Sequence, residues 1–171
     1  MDPAIAHRLA CRGHVGQHNR FGEPVIEHVQ RVAAAVPPEA RVTAWLHDVL
    51  ELCPIKRREL RRHGLASVEL AALELLTHTP AEPYEDYMGR IAGASGPAGY
   101  LARIVKLADL NDHLAHPFIP SDAPPYAWAR RLLLPAWGGE ASSAGRRWRA
   151  GDSGSGAYTR GNSGDCASLG D

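Results

Sequence analysis

Residues 42–51 read VTAWLHDVLE and place two metal-capable side chains inside an otherwise apolar run. Val42, Leu46 and Val49 recur at helical spacing, which predicts a helix that packs against a core. His47 and Asp48 interrupt this run, and burying such groups is costly unless they have partners. The stretch therefore predicts a core helix that carries a polar site near its middle.

Two more residues of the same kind stand at the edges of apolar stretches elsewhere. His28 closes GEPVIEH at residues 22–28, and Asp109 closes VKLAD at residues 105–109. Imidazole and carboxylate together suit manganese, iron or zinc better than calcium. A divalent metal held this way can activate water for attack on a phosphate ester.

Composition limits the classes of protein to which the chain can belong. Its 171 residues suit one domain, and its 19 basic and 19 acidic residues leave no net charge to attract a nucleic acid polymer or an anionic membrane. The three cysteines form no Cys-x-x-Cys pair, which favours a reducing, cytoplasmic location. The N-terminus does not resemble a secretory signal, and no apolar run approaches the roughly 18 residues of a membrane span.

Apolar spacing and helix-start signals predict an all-α fold. The predicted helices run from Asp2-Pro3 to Arg12, from Pro24 to Val36, from Pro38 towards Pro54, from a Ser67 cap to Leu76, from Tyr84 to Ile91, from Leu101 to Leu114, and from Tyr126 to Leu134. Residues 93–99 are predicted to be a loop. Alternating strand patterns and hairpin dipeptides are absent, so an α-helical bundle is favoured over an α/β fold.

The composition changes after Pro135. Residues 136–171 hold nine of the 17 glycines and six serines, and no valine, isoleucine, phenylalanine or methionine. Such a segment has too little apolar surface to build a core. We expect one folded domain at residues 1–135 and a disordered tail at residues 136–171.

Three charged residues are candidates for chemistry beside the metal. Glu51 follows Asp48 by three positions and His47 by four, so it can orient or deprotonate an attacking water, or simply be a solvated helix residue. Arg20 and Lys106 are candidates for neutralising substrate phosphates, with surface charges as the alternative. The histidines expected to be exposed or in loops, which receive no role, are His14, His18, His63, His78 and His116.

Several of these motifs together resemble the HD-domain phosphohydrolases, and among them the alarmone hydrolase domain of the RelA/SpoT enzymes and its small stand-alone relatives. The resemblance rests on HVGQ at 14–17, GEPVIEH at 22–28, AWLHDVLE at 44–51, Leu76-Thr77, and VKLADL at 105–110. It implies an all-helical HD bundle in which His28, His47, Asp48 and Asp109 bind one manganese ion. It also implies removal of pyrophosphate from the 3′ position of guanosine tetra- or pentaphosphate.

The sequence departs from that family around the substrate. Leu52 stands where the family has a second acid after the His-Asp pair, and His113 where it has an asparagine. Asn19 stands where the family has an arginine that contacts the base, and Val25 and Val29 replace the usual tyrosine and proline. We expect His113 to be an extra polar group in the substrate pocket, or a helix residue favoured by the macrodipole.

These departures leave three functions open. The first is a metal-dependent enzyme that hydrolyses a nucleotide, with guanosine alarmones as the substrate that the resemblance implies. The second is a degenerate HD domain that binds metal or nucleotide without catalysis. The third is a hydrolase of simpler nucleoside phosphates, which Asn19 would permit. A small-molecule nucleotide is the expected partner, and the sequence does not set the oligomeric state.

Overall fold

Helices make up most of the described chain. The computed structural model describes residues 1–117, 119, 123–134 and 159–160. Within these ranges the only strands are two segments of two residues each, so the predicted all-α class is confirmed. The tail predicted at residues 136–171 lies outside the described residues except for Thr159–Arg160, and its disorder stays a prediction.

Nine α-helices and two short strands follow one another in the part of the chain that the structure describes. In chain order they are α1 (Pro3–Gly13), β1 (Gln17–His18), α2 (Val25–Ala35), α3 (Arg41–Leu46), α4 (Val49–Leu52), α5 (Arg57–Arg62), α6 (Ser67–Leu76), α7 (Tyr84–Gly93), α8 (Gly96–Ala115), α9 (Tyr126–Leu133) and β2 (Thr159–Arg160). A 3₁₀ turn at Pro38–Ala40 precedes α3. The two strands pair antiparallel, with Gln17 opposite Arg160.

Helix starts agree with the sequence signals at α1 but not at α6. The Asp2 carboxylate accepts a 2.7 Å hydrogen bond from the Ala4 N–H, and proline follows at the first helical position. The predicted Ser67 cap is wrong, because Ala66 is the N-cap and Ser67 is already helical. Glu69 supplies the local bond instead, as its side chain accepts from the Ala66 N–H at 2.8 Å.

The predicted helix through residues 42–51 is broken at the residues that define it. α3 ends at Leu46 and α4 begins at Val49, so the expectation that His47 and Asp48 lie mid-helix is wrong. The His47 ring nitrogen Nδ1 lies 2.8 Å from the Ala44 carbonyl oxygen, and the backbone N–H of His47 also donates to that oxygen. A local side-chain bond of this kind competes with continuation of the helix. The two helices meet at a corner formed by His47 and Asp48.

Two other boundaries differ from the sequence prediction. α8 begins at Gly96, so the loop predicted at residues 93–99 is mostly helical and only Ala94 and Ser95 connect α7 to α8. α5 is not predicted, because of its six residues only Leu60 is buried and the rest are charged. A helix with one apolar residue gives no periodic signal.

α8 is the central element of the bundle. It packs against α2, α3, α6, α7 and α9, and its 20 residues make it the longest described helix. The largest fully buried side chains of the described core include Leu46, Leu60, Leu73, Met88, Ile91 and Leu110. No helix within the described ranges is both long and apolar enough to cross a membrane. The contact of α2 with α8 brings the region of His28 to that of Asp109.

A close backbone approach sets the start of α8. The Ala94 carbonyl oxygen accepts a hydrogen bond from Arg103 and lies 2.5 Å from the position that a Cβ would occupy on Gly99. Only glycine leaves room for this contact. Gly89, inside α7, has nothing within 4 Å of its would-be Cβ.

These two glycines predict opposite effects of the same substitution. Gly99→Ala should lower the free energy of unfolding by about 1–3 kcal/mol, because a backbone carbonyl must move. Gly89→Ala should raise it by roughly 0.5–1 kcal/mol, because alanine is the better helix former. Urea denaturation followed by circular dichroism measures both, and equal effects of the two changes would contradict the close approach.

Candidate metal centre

Three parts of the fold bring the polar residues together. α2 carries His28, the corner between α3 and α4 carries His47 and Asp48, and α8 carries Asp109. Each of the three is flanked by buried apolar residues that fix it in the core, such as Val29 after His28 and Val49 after Asp48. His28, His47 and Asp109 are themselves 3%, 4% and 3% exposed, so they need partners inside the protein.

The four predicted ligands fall into two overlapping groups. Ligand atoms of His28, His47 and Asp48 all lie within 4.8 Å of one another, and so do those of His28, Asp109 and His113. His28 belongs to both groups. Imidazole nitrogens and carboxylate oxygens at this spacing can hold a metal ion. The described residues thus contain a possible His/Asp metal site, and which of them bind an ion stays a prediction.

The His47 ring offers a ligand atom that no protein group satisfies. Its Nδ1 must carry the proton, because the neighbouring Ala44 carbonyl oxygen can only accept, and this leaves the Nε2 lone pair free in the neutral ring. Nε2 is buried without a hydrogen-bond partner, although Asp48 Oδ1 lies 3.3 Å away. A buried unsatisfied acceptor costs about 1–3 kcal/mol, so a metal ion at Nε2 would remove a penalty.

The His28 ring is oriented by Asp112, a residue that the sequence motifs do not single out. Nδ1 of His28 lies 2.8 Å from Asp112 Oδ2, which turns Nε2 towards Asp109 Oδ1 at 3.3 Å. Arg31 in turn donates to both carboxylate oxygens of Asp112, at 2.6 Å and 2.9 Å. A carboxylate behind a histidine is the usual way in which proteins orient a metal ligand.

Charges within the cluster shift the protonation of its members. Burial alone would lower the pKa of His28, but hydrogen bonds to Asp109 and Asp112 outweigh it and raise the pKa to about 10. Burial would raise the pKa of Asp109, but Lys106 and His113 hold it well below its usual range. Without a metal the cluster therefore keeps a proton on His28. Metal binding must displace that proton, so metal affinity rises with pH.

Lys106 lies against a predicted ligand. Its Nζ donates a 2.7 Å hydrogen bond to Asp109 Oδ2, and it sits 5.1 Å from the centroid of the Tyr87 ring. The two carboxylate oxygens of Asp109 therefore have different partners. Oδ2 accepts from Lys106, and Oδ1 faces His28 and His113. Contact of Lys106 with a substrate phosphate stays a prediction.

Glu51 lies at the edge of the cluster. The backbone N–H of His78 donates to its Oε2 at 2.9 Å. Partial desolvation of the carboxyl group and the negative charge of Asp48 raise the pKa of Glu51 to about 7. A carboxyl group with such a pKa suits proton transfer near neutral pH.

Arg20 has an unsatisfied guanidinium nitrogen. Its Nη1 is buried and makes no hydrogen bond, and the Tyr84 hydroxyl is in the same condition. The positive charge of Arg20 acts on both Tyr84 and Tyr126, which places the three side chains in one neighbourhood. These donors are available to a ligand, and a phosphate contact of Arg20 stays a prediction.

The departures from the HD pattern have structural uses. Asn19 Oδ1 accepts from the backbone N–H groups of Phe21 and Glu23, at 2.9 Å and 3.2 Å, and so shapes the loop before α2. Leu52 is half-buried and packs with an apolar cluster that includes Val25 and Val29. Because of these contacts, Asn19 cannot take the role of the family's arginine, and Leu52 cannot take the role of its second acid.

His14 lies in a loop, as expected, but it is buried rather than exposed. It lies in the turn after α1 with only 2% exposed, and burial lowers its pKa. Its Nδ1 lies 2.9 Å from Gln17 Oε1 and 3.5 Å from Cys53 Sγ. His14 thus serves packing beside the cluster.

Comparison with known proteins gives no match. No protein-family model and no curated protein matches the sequence at a significant level. The resemblance to HD phosphohydrolases therefore rests on the sequence motifs alone.

The contact between His28 and Asp112 predicts a loss of metal affinity without loss of a ligand. Asp112→Asn should weaken binding of Mn²⁺ or Zn²⁺ by about 10- to 100-fold, because the amide no longer fixes the His28 ring with a charged acceptor. Isothermal titration calorimetry of the purified variant measures the change. Asp86→Asn, at an exposed site on α7, is the matched control and should bind as the unmodified protein does. Equal affinities of all three proteins would show that Asp112 does not support the site.

Proposed function

We propose that residues 1–135 form an HD-type, metal-dependent phosphohydrolase of nucleotides, with guanosine 3′-diphosphate 5′-di(tri)phosphate as the substrate class. The observation that carries the proposal is that His28, His47 and Asp48 form one possible ligand group, in which Nε2 of His47 is buried and unsatisfied, and that Asp109 lies against His28. Their order along the chain is that of the HD pattern. We propose Mn²⁺ as the resident ion, since the resemblance implies it.

The proposed role of each residue follows from the position of its side chain. A bound divalent ion supplies Lewis acidity and lowers the pKa of water at the site. His28, held by Asp112, and His47, held by Ala44, present fixed nitrogen ligands. Asp109 presents Oδ1, because Lys106 engages its other oxygen.

Glu51 is the proposed proton acceptor for the attacking water. Its carboxyl group is three residues from Asp48 and titrates near neutrality, with a pKa of about 7, so it can take a proton and release it again at physiological pH. Leu52 cannot assist, so Glu51 acts without the second acid of the family pattern.

Arg20 is the proposed contact for the substrate phosphates. Its guanidinium has an open buried donor, whereas the charge of Lys106 is already paired with Asp109. Guanidinium groups bind phosphate oxygens strongly. Lys106 would then act mainly through Asp109, although its ammonium group can also face a phosphate.

One set of observations favours the second candidate, a degenerate HD domain that binds metal or nucleotide without turnover. Asn19 is engaged in the loop, Leu52 packs in the core, and His113 contacts Asp109. The groups credited with holding the base and activating water are thus reduced, while the metal cluster is intact. Hydrolysis of a simpler nucleoside phosphate is compatible with the same residues, since Asn19 does not read the base.

The proposal predicts metal-dependent turnover with a defined pH profile. With Mn²⁺ present, the protein should release pyrophosphate from guanosine tetraphosphate, and the rate should rise through about pH 7 as Glu51 loses its proton. Glu51→Gln should lower the rate by about 100- to 10,000-fold and remove that rise. Asp109→Ala should abolish activity. Ion-exchange chromatography of the products measures the rates.

A control variant and a nucleotide panel separate the candidate functions. Asp86→Asn should retain full activity, which shows that loss of a carboxylate elsewhere has no effect. Turnover of other nucleoside phosphates but not of the alarmone would select the simpler-substrate hydrolase. Nucleotide binding with no product at any pH would select the degenerate domain and refute the enzyme.

A further inference from the structure

We propose that the two ligand groups, which share His28, hold one metal ion, so that His113 is its fifth protein ligand. The ion would then face three imidazoles and two carboxylates, which favours zinc-like ions over manganese. The proposal rests on the metal centre of the proposed function and changes its ligand set. The sequence predicts His113 as a substrate-binding residue, at the position where the HD pattern has an asparagine. Its geometry is instead that of a metal ligand.

The first support is distance. His113 Nε2 lies 3.0 Å from Asp109 Oδ1, and His28 Nε2 lies 3.3 Å from the same oxygen. Two ligand atoms bound to one ion at about 2.0–2.1 Å are separated by roughly 3.0–3.4 Å in octahedral or tetrahedral geometry. The spacing of these three atoms is therefore that of neighbouring ligands in one coordination shell. His113 fits that shell as well as His28 does.

The second support is the way in which the ring is held. His113 stacks between His28 and Tyr126, with centroids at 4.8 Å and 4.7 Å and interplanar angles of 17° and 11°. Asp109 and His113 are four residues apart on α8 and so share a helix face. The stack and the helix together aim Nε2 into the cluster. A fixed orientation of Nε2 towards a carboxylate would not help a residue to bind substrate.

The third support is the crowding of nitrogen atoms around one carboxylate. Asp109 receives Lys106 on Oδ2 and faces two imidazoles on Oδ1, while His47 Nε2 nearby has no partner. The two lone pairs of Oδ1 serve the two imidazoles that face it, and no protein group satisfies Nε2 of His47. An ion held by both ligand groups, which share His28, would take a lone pair from each of the three rings.

The ligand set has a consequence for metal choice. Imidazole suits zinc, copper, iron and nickel, whereas carboxylate, carbonyl and water suit manganese. A third imidazole therefore moves the preference away from Mn²⁺. It also uses a position that water would occupy in a site with four protein ligands, which leaves a smaller opening for substrate.

The test is to count the histidines that respond to metal by NMR. Long-range ¹H–¹⁵N spectra of the full chain with labelled histidine, recorded with and without Zn²⁺, report each ring nitrogen separately. We expect the Nε2 signals of His28, His47 and His113 to shift on Zn²⁺ addition. His113→Asn should remove one shifted signal and weaken Zn²⁺ binding at least 10-fold, while Mn²⁺ binding changes less than threefold. His113→Gln is the second variant if the first does not fold.

His116→Ala is the matched control, because His116 also stacks on an aromatic ring, that of Phe21 at 3.9 Å, but belongs to neither ligand group. It should retain all three shifts. A shift of only His28 and His47 in the unmodified protein, or unchanged Zn²⁺ affinity in His113→Asn, would overturn the proposal. Three shifted histidines without nucleotide turnover would uphold it while the phosphohydrolase proposal fails. Absence of any metal response would overturn both.

Discussion

The carboxylates of Asp109 and Asp112, less than one helical turn apart on α8, hold the His28 ring of α2 between them. The ring is 3% exposed, so these contacts at 3.3 Å and 2.8 Å replace the water that it would otherwise bind. The interaction also fixes how α2 sits on α8. The rest of the cluster depends on that placement, since α3, which leads into the corner, packs against both α2 and α8.

At the corner formed by His47 and Asp48, the helix preference of the local sequence conflicts with the tertiary structure. The sequence there favours a continuous helix, yet the chain turns and leaves His47 Nε2 buried without a partner. Proteins accept such local costs mainly at functional sites. The metal-centre interpretation explains both the turn and the orphaned nitrogen, whereas a purely structural role for His47 leaves the nitrogen unexplained.

The helical class and the residues that cluster can be predicted from the sequence. The contacts that hold those residues in place cannot. Helical periodicity predicts α2 and α6 because their apolar residues recur, but it misses α5, which buries only Leu60. Asp112 carries a signal, three residues after Asp109 on a predicted helix, yet its pairing with His28 spans 84 residues of sequence. Long-range pairings of this kind depend on which helices pack together, and periodicity does not encode that. The same limit explains why the sequence places His14 outside the core.

Binding of a metal ion by this cluster is tested most directly by the metal content of the protein itself. The full chain, purified without chelators and dialysed against a mixture of Mn²⁺, Zn²⁺ and Fe²⁺, is analysed by inductively coupled plasma mass spectrometry beside a folded His28→Ala/His47→Ala variant. We expect about one equivalent of transition metal in the unmodified protein and almost none in the variant. Equal metal content in the two proteins, or none in either, would contradict the account.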